Sequence, residues 1–186
     1  MRTKIIAVLL AVILLLAVGC SQKTAVQEEP AQPQVSGSSK TGIKLSFETV
    51  DVNGNSISSS ELFAANKVTM VNIWASWCPP CVGELPELQS LNAELSEMGC
   101  GIIGVLTDGT DKNGLADGIE IMNETGVTYP VILPWKTFDS DLPISAYPTS
   151  LFIDSEGNVL NVKPIVGAYP DRYKDAVEQA LALTAE

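Results

Sequence analysis

The sequence predicts an α/β fold, a three-layer sandwich whose central mixed sheet is flanked by helices, with a hairpin extension on its N-terminal side. Two patterns carry this expectation. Beyond residue 42, apolar runs of strand length alternate with helical stretches in the order strand, helix, strand, helix, then a hairpin and a closing helix. Strands joined through helices run parallel, and a hairpin adds antiparallel neighbours, so the sheet must be mixed. With 186 residues and 46% hydrophobic content, the chain can build one core plus extra segments.

The elements follow in order. Apolar alternation over 43–52 and 55–57 flanks Asn53-Gly54, a hairpin-turn signal. Residues 67–74 read as a short buried strand. A helix is expected over 79–98, with Val82, Leu85, Leu88, Leu91 and Leu95 spaced by three or four, and Pro86 should kink it. Residues 101–106 form a second buried strand, 113–124 a weaker helix interrupted by Gly118, and 129–133 a third strand. Residues 149–154 and 159–166 pair around Ser155-Glu156-Gly157-Asn158, and 170–183 is a closing helix with Asp171 in its first turn. No internal repeat is visible.

The chain opens differently. Residues 1–19 combine a basic start (Arg2, Lys4), an apolar stretch from Ile5 to Val18 and Gly19 just before Cys20. A run of that length is shorter than the roughly 20 residues a membrane-crossing helix needs, so a cleaved signal peptide is expected. Leu16-Ala17-Val18-Gly19-Cys20 resembles the lipobox of bacterial lipoproteins, with Ala17 where Leu is most often seen. That resemblance implies lipidation of Cys20 and anchoring at the extracytoplasmic face of the cell membrane. Residues 20–41 carry almost no large apolar side chain and are expected to be a flexible tether, with ends roughly 25 Å apart on average. The folded domain is expected over 42–186.

Charge and composition exclude several functions. Once Arg2 and Lys4 leave with the leader, 9 basic residues face 22 acidic ones, a net charge of −13. Such a surface repels nucleic acid and anionic headgroups, so any membrane association must come from something other than a basic patch. There is no histidine, which removes Ser-His and Cys-His nucleophile pairs and histidine metal sites.

Thiol chemistry survives that filter. Cys78 and Cys81 stand where a buried strand passes into a helix, with one sulfur at the helix N-terminus and the other one turn inside. The helix dipole and free N–H groups stabilise a thiolate at the first position, and the spacing lets the second sulfur reach it. A zinc site would need a second ligand pair, and haem attachment would need histidine where Val82 stands.

The string Val71-Asn72-Ile73-Trp74-Ala75-Ser76-Trp77-Cys78-Pro79-Pro80-Cys81 resembles the thioredoxin superfamily, and within it the TlpA/ResA-like branch. The likeness runs from about residue 42 to the C-terminus and includes Tyr147-Pro148-Thr149, similar to the family's cis-proline loop. It implies a thioredoxin-like sandwich and a redox disulfide as the only redox group, with no metal and no other cofactor. It also implies client contact through Trp77, Pro79, Pro80, Tyr147, Pro148 and Thr149.

Asn72 stands where thioredoxin has a buried aspartate, and an amide cannot take up a proton. Glu84, three residues after Cys81, matches the acidic residue of ResA-like proteins and is expected to exchange protons with the dithiol; a solvated helix glutamate is the other reading. The implied reaction is thiolate attack by Cys78 on a client disulfide, then release by Cys81. A membrane thiol-transfer protein is the implied electron donor, and apocytochrome c or surface reductases such as methionine sulfoxide reductase are the implied clients.

The remaining candidates have plainer readings. Cys100 reads as a small buried apolar residue, Trp74 as core, and Trp135 as either loop packing or client surface. Asp108, Asp111 and Asp117 lack calcium-loop spacing and read as a solvated loop. Two other functions compete: a metal or cofactor carrier using the two thiolates, disfavoured by the lack of His and Met nearby, and a peroxidase-like module, which would carry Thr-x-x-Cys. A monomer is expected.

Overall fold

The computed structural model describes residues 38–185. The expected leader, Cys20 and most of the tether lie outside the described residues. Among the described residues no helix is long and apolar enough to cross a membrane.

Strand β1 (Lys40–Lys44) starts two residues before position 42. Thr41 Oγ1 donates to the Val159 carbonyl and Lys40 Nζ pairs with Asp154 at 3.0 Å, which draws the end of the tether stretch into the sheet. The run 43–52, expected as one strand, is divided into β1 and β2 (Glu48–Val50). Between them Leu45 N–H turns to the Gly157 carbonyl and Phe47 N–H to Ser59 Oγ, while both side chains enter the core. Gly157 is required here: its φ is +87°, and a Cβ would stand 2.7 Å from the Leu45 carbonyl oxygen.

β2 forms the expected hairpin with β3 (Ser56–Ser58), in the register Thr49↔Ile57. Asp51 Oδ1 accepts from the backbone N–H groups of Asn53 and Asn55, both at 2.8 Å, and so shapes the turn. A short helix follows, α1 (Ser59–Ala64), which the sequence reading lacked.

β4 (Val68–Trp74) is buried at all seven positions because it is the centre of the main sheet. It pairs in parallel with β5 (Cys100–Leu106), from Val68↔Cys100 to Trp74↔Leu106. Between them α2 (Pro79–Glu97) turns Cys81, Leu85, Leu88 and Leu95 inward. It remains one helix through Pro86, where the expected kink would lie.

Helix α3 (Lys112–Thr125) begins at Asp111, whose side chain accepts from Asn113 and Gly114 N–H, and ends at Gly126 in the left-handed region. The third parallel strand, β6 (Val131–Ile132), is shorter than expected, and a small helix α4 (Phe138–Asp141) follows it. Strand β7 (Thr149–Asp154) runs antiparallel to β4 on its other side.

The expected second hairpin arm, 159–166, is two strands, β8 (Asn158–Leu160) and β9 (Ile165–Val166). Each pairs with a different end of β7, and Asn161 N–H bonds to the Ser39 carbonyl in the gap. Helix α5 (Pro170–Leu183) closes the chain as expected.

The strand order is β1-β8-β7-β4-β5-β6, with β9 also on β7. Alternate β4 side chains feed two cores. Met70 and Trp74 pack with α2 and α5 residues such as Leu85, Leu88, Tyr173 and Val177. Val71 and Ile73 pack on the other face with Phe47, Phe63, Trp135 and Phe138. The sheet is therefore covered on both faces, and the carboxyl end of β4 delivers the chain to Cys78.

Candidate active site

Cys78 is the N-cap of α2, with extended backbone (φ −102°, ψ 96°), and its carbonyl accepts the Val82 N–H at 3.1 Å. Pro79 and Pro80 occupy the first two helical positions, which need no intrahelical donor. Cys78 and Cys81 are joined as a disulfide, with Cα atoms 5.3 Å apart. Exposure differs within the pair: Cys78 retains 4% of its surface and Cys81 none.

The loop entering the helix is fastened by an aspartate expected to lie in a solvated loop. Asp108, after β5, accepts from Ser76 N–H at 3.1 Å and from Ser76 Oγ at 2.5 Å. With Asp111 capping α3, two members of the presumed solvated acidic loop are structural. The signal was available in outline, since Asp108 stands two residues beyond the carboxyl end of a buried strand, where loops gather around a site.

Trp77 is 66% exposed, and its ring meets Tyr147 edge-on at 5.8 Å. The Tyr147–Pro148 peptide is cis. Thr149 opens β7 opposite Ile73, which puts this loop at the same sheet edge as the dithiol. Thr149 is buried, and its hydroxyl donates to the Ala146 carbonyl. Pro148 is buried while Pro79 and Pro80 are exposed. The Pro148 carbonyl accepts Gly167 N–H at 2.8 Å, so the turn after β9 braces the loop.

A cleft of about 370 Å³ lies alongside, lined by Thr107, Pro134, Lys136, Asp139 and Tyr147 among others. Trp135 also borders it but is mainly packed: it stacks on Phe47 at 3.8 Å and donates Nε1–H to Asp141. A cleft of about 440 Å³ opens at the far end of β5, around Cys100 and Gly101, remote from the dithiol. Cys100 is buried there as a free thiol, and burial pushes its pKa up.

Behind the disulfide lies a buried polar cluster. Glu84, one helical turn beyond Cys81, is only 2% exposed. Its Oε1 accepts from Asn72 Nδ2 at 2.9 Å and its Oε2 from the Tyr173 hydroxyl at 2.6 Å. Asn72 Nδ2 also reaches Ser150 Oγ at 3.2 Å. Burial pushes the Glu84 carboxyl above its ordinary range, against the opposing pull of Tyr173 and Asn72, and Glu87 adds repulsion in the same upward direction. Burial and the neighbouring Glu84 push the Tyr173 phenol up as well.

Asn72 thus holds the carboxyl in place. Ser150 and Tyr173 were missed by sequence reasoning. Tyr173 heads the inward stripe Tyr173, Val177, Ala180 of α5, and a buried tyrosine calls for a hydroxyl partner.

The arrangement offers a cysteine at the helix cap that keeps a little exposed surface, a fully buried cysteine bonded to it, and a buried carboxyl of raised pKa one turn away. It can pass two electrons and hold a proton beside them.

A family model described as Redoxin matches residues 28–178. Thiol-disulfide oxidoreductase ResA of Oceanobacillus iheyensis is 32% identical over 124 residues, covering 66% of this chain and 62% of that protein. A thiol:disulfide interchange protein DsbE homolog of Paracoccus denitrificans is 33% identical over 127 residues, covering 66% of each. The chain therefore spans slightly under two thirds of these relatives' length. Among solved structures, a thiol:disulfide interchange protein of the thioredoxin family from Chlorobium tepidum TLS superposes with a TM-score of 0.62 at 29% identity, covering 75% of this chain and 95% of that one.

Proposed function

The chain belongs to the Redoxin family, and from that premise we propose that it is an extracytoplasmic thiol-disulfide oxidoreductase that reduces disulfides in client proteins. The observation that carries this reading is the Cys78–Cys81 disulfide at the start of α2.

The reduced form acts first. The Cys78 thiolate, on the more exposed residue of the pair, attacks a client disulfide; a Cys78–client bond forms and one client sulfur leaves as thiolate. Cys81 then gives its proton to the Glu84 carboxylate and attacks Cys78 Sγ. The enzyme disulfide forms, the mixed disulfide breaks, and the second client thiolate departs. Two electrons have moved from the dithiol to the client. A membrane thiol-transfer protein restores the dithiol, with Glu84 returning the proton to Cys81.

Exposed Trp77, Pro79 and Pro80 and the Tyr147-Pro148-Thr149 loop form the client rim in this reading. Disulfides of apocytochrome c or of surface reductases are the proposed clients, and lipid on Cys20 the proposed anchor.

Trapping tests the assignment. Cys78→Ser should abolish reduction of insulin disulfides, and Cys81→Ser should accumulate mixed disulfides with clients. Adducts on Cys81 in the Cys78 variant, with none on Cys78 in the other, would reverse the two roles. Full insulin reduction by both variants would sink the proposal.

A further inference from the structure

We propose that Tyr173 is the positioning residue of the acid–base group, and that its single hydroxyl proton couples the charge state of Glu84 to the Gly167 turn that braces the Pro148 loop. This inference rests on reading Glu84 as the proton acceptor of Cys81.

The geometry gives one donor two acceptors. Tyr173 Oη lies 2.6 Å from Glu84 Oε2 and 3.4 Å from the Gly167 carbonyl oxygen. A phenol carries one hydrogen and can satisfy only one of them well at a time. An ionised carboxylate is the stronger acceptor and takes the hydrogen. A protonated Glu84 competes less for it, which leaves the hydroxyl free to turn to Gly167.

That second acceptor belongs to the turn that braces the client rim. Gly167 donates its N–H to the Pro148 carbonyl at 2.8 Å, and Val166 beside it pairs with Thr149. The protonation state of a carboxyl buried behind the dithiol is thereby felt in the backbone that holds the cis-proline loop. In the cycle above, Glu84 gains a proton as the client is released, so the loop changes its bracing at the step where the client must leave.

Few other groups compete. On α2 the neighbours are Cys81 and, toward the surface, Glu87; from the segment before β6 comes Tyr129, buried with its hydroxyl unpartnered. From β4 and β7 come only neutral Asn72 and Ser150. At the outer seam between α2 and α5, Glu94, Asp171 and Lys174 line a solvent-open cleft with Glu87.

The test uses the full-length chain as wild type, Tyr173→Phe, Glu84→Gln and the double variant. The pH profile of the release of thiol from a peptide mixed disulfide on Cys78 is measured together with amide hydrogen exchange at Gly167. Removing a donor to a carboxylate raises its pKa, so Tyr173→Phe should move the Glu84 inflection upward by about one pH unit. Glu84→Gln should abolish the inflection, and the double variant should behave as Glu84→Gln.

Gly167 exchange in the wild type should change through the same inflection, a readout that needs no variant, and should lose that change in Tyr173→Phe. An inflection lost in Glu84→Gln but unmoved in Tyr173→Phe, or Gly167 exchange blind to the inflection, overturns the role of Tyr173 alone. An inflection that persists unchanged in Glu84→Gln overturns the acid–base reading on which it rests.

Discussion

Glu84 is bound by two neutral donors, Asn72 and Tyr173, and among the described residues no salt bridge reaches it. Its carboxyl is raised chiefly by burial, so between the ordinary glutamate pKa and the raised one the folded chain holds more protons than the unfolded chain. Stability from this group is fully present below the ordinary value and is lost as pH rises through the raised one. Glu84→Gln removes that dependence. Its stability relative to wild type should therefore grow as pH rises through this window, as read by denaturant unfolding at a series of pH values. Asp154 behaves in the opposite sense. Burial works to raise it, but bonds from Asn158, Lys40 and the Glu156 N–H prevail and lower it. Its contribution is common to both proteins and cancels in the difference. Parallel curves for wild type and Glu84→Gln would remove the argument.

At the scale of elements, α2 decides the redox character. Its N-cap is Cys78, its first two residues are prolines, and Cys81 at the third position carries the first N–H inside the helix. Of the donors that would normally stabilise a thiolate at the cap, the one at the second position is missing. An ionised Glu84 nearby would disfavour a thiolate further. A poorly stabilised thiolate favours the disulfide, so the pair should be reducing, below about −200 mV and on the side of thioredoxin rather than the strong oxidants. Pro80→Ala restores the N–H at the second position and should shift the potential upward. Equilibration against a dithiothreitol or glutathione series, with alkylation to count thiols, measures both; a wild-type value near −120 mV, about that of a strong oxidant, would defeat the argument.

The same scale separates what the sequence made legible from what it hid. Helices α2 and α5 were readable because each is long enough for its apolar period to repeat, and strand β4 because it is a short, almost wholly apolar run. Helices α1 and α4, six and four residues long, are too short to show one. The splits between β1 and β2 and between β8 and β9 depend on distant partners, Ser59 for Phe47 and Ser39 for Asn161, which no local pattern encodes. At the site, Cys78, Cys81 and Glu84 share one short stretch of chain and could be read from it. Tyr173 lies 89 positions from Glu84, and only the packing of α5 on α2 brings them together.

For the whole molecule, charge opposes the attachment proposed through Cys20. With the proposed leader removed the net charge would be −13, which repels an anionic membrane surface, so the proposed retention there would depend on the lipid proposed for Cys20. Cys20→Ala should release the chain from membranes or block its processing, which fractionation followed by blotting would reveal. A correctly processed variant that stays with the membrane would refute lipid anchoring.

The parallel pairing of β4 with β5 carries a further consequence for thiol traffic. Cys100 is level with Val68 at the start of β4, while the dithiol lies beyond Trp74 at its end. Six strand steps separate those levels, roughly 20 Å, far beyond the span of a disulfide. The spare thiol is also sealed at 1% exposure. Scrambling between the three cysteines of the folded domain is therefore forbidden while the sheet is intact, and the active pair works as an isolated circuit. A maleimide pulse on the native oxidised domain should label none of the three, and unfolding it without reductant should release a single reactive thiol, at Cys100.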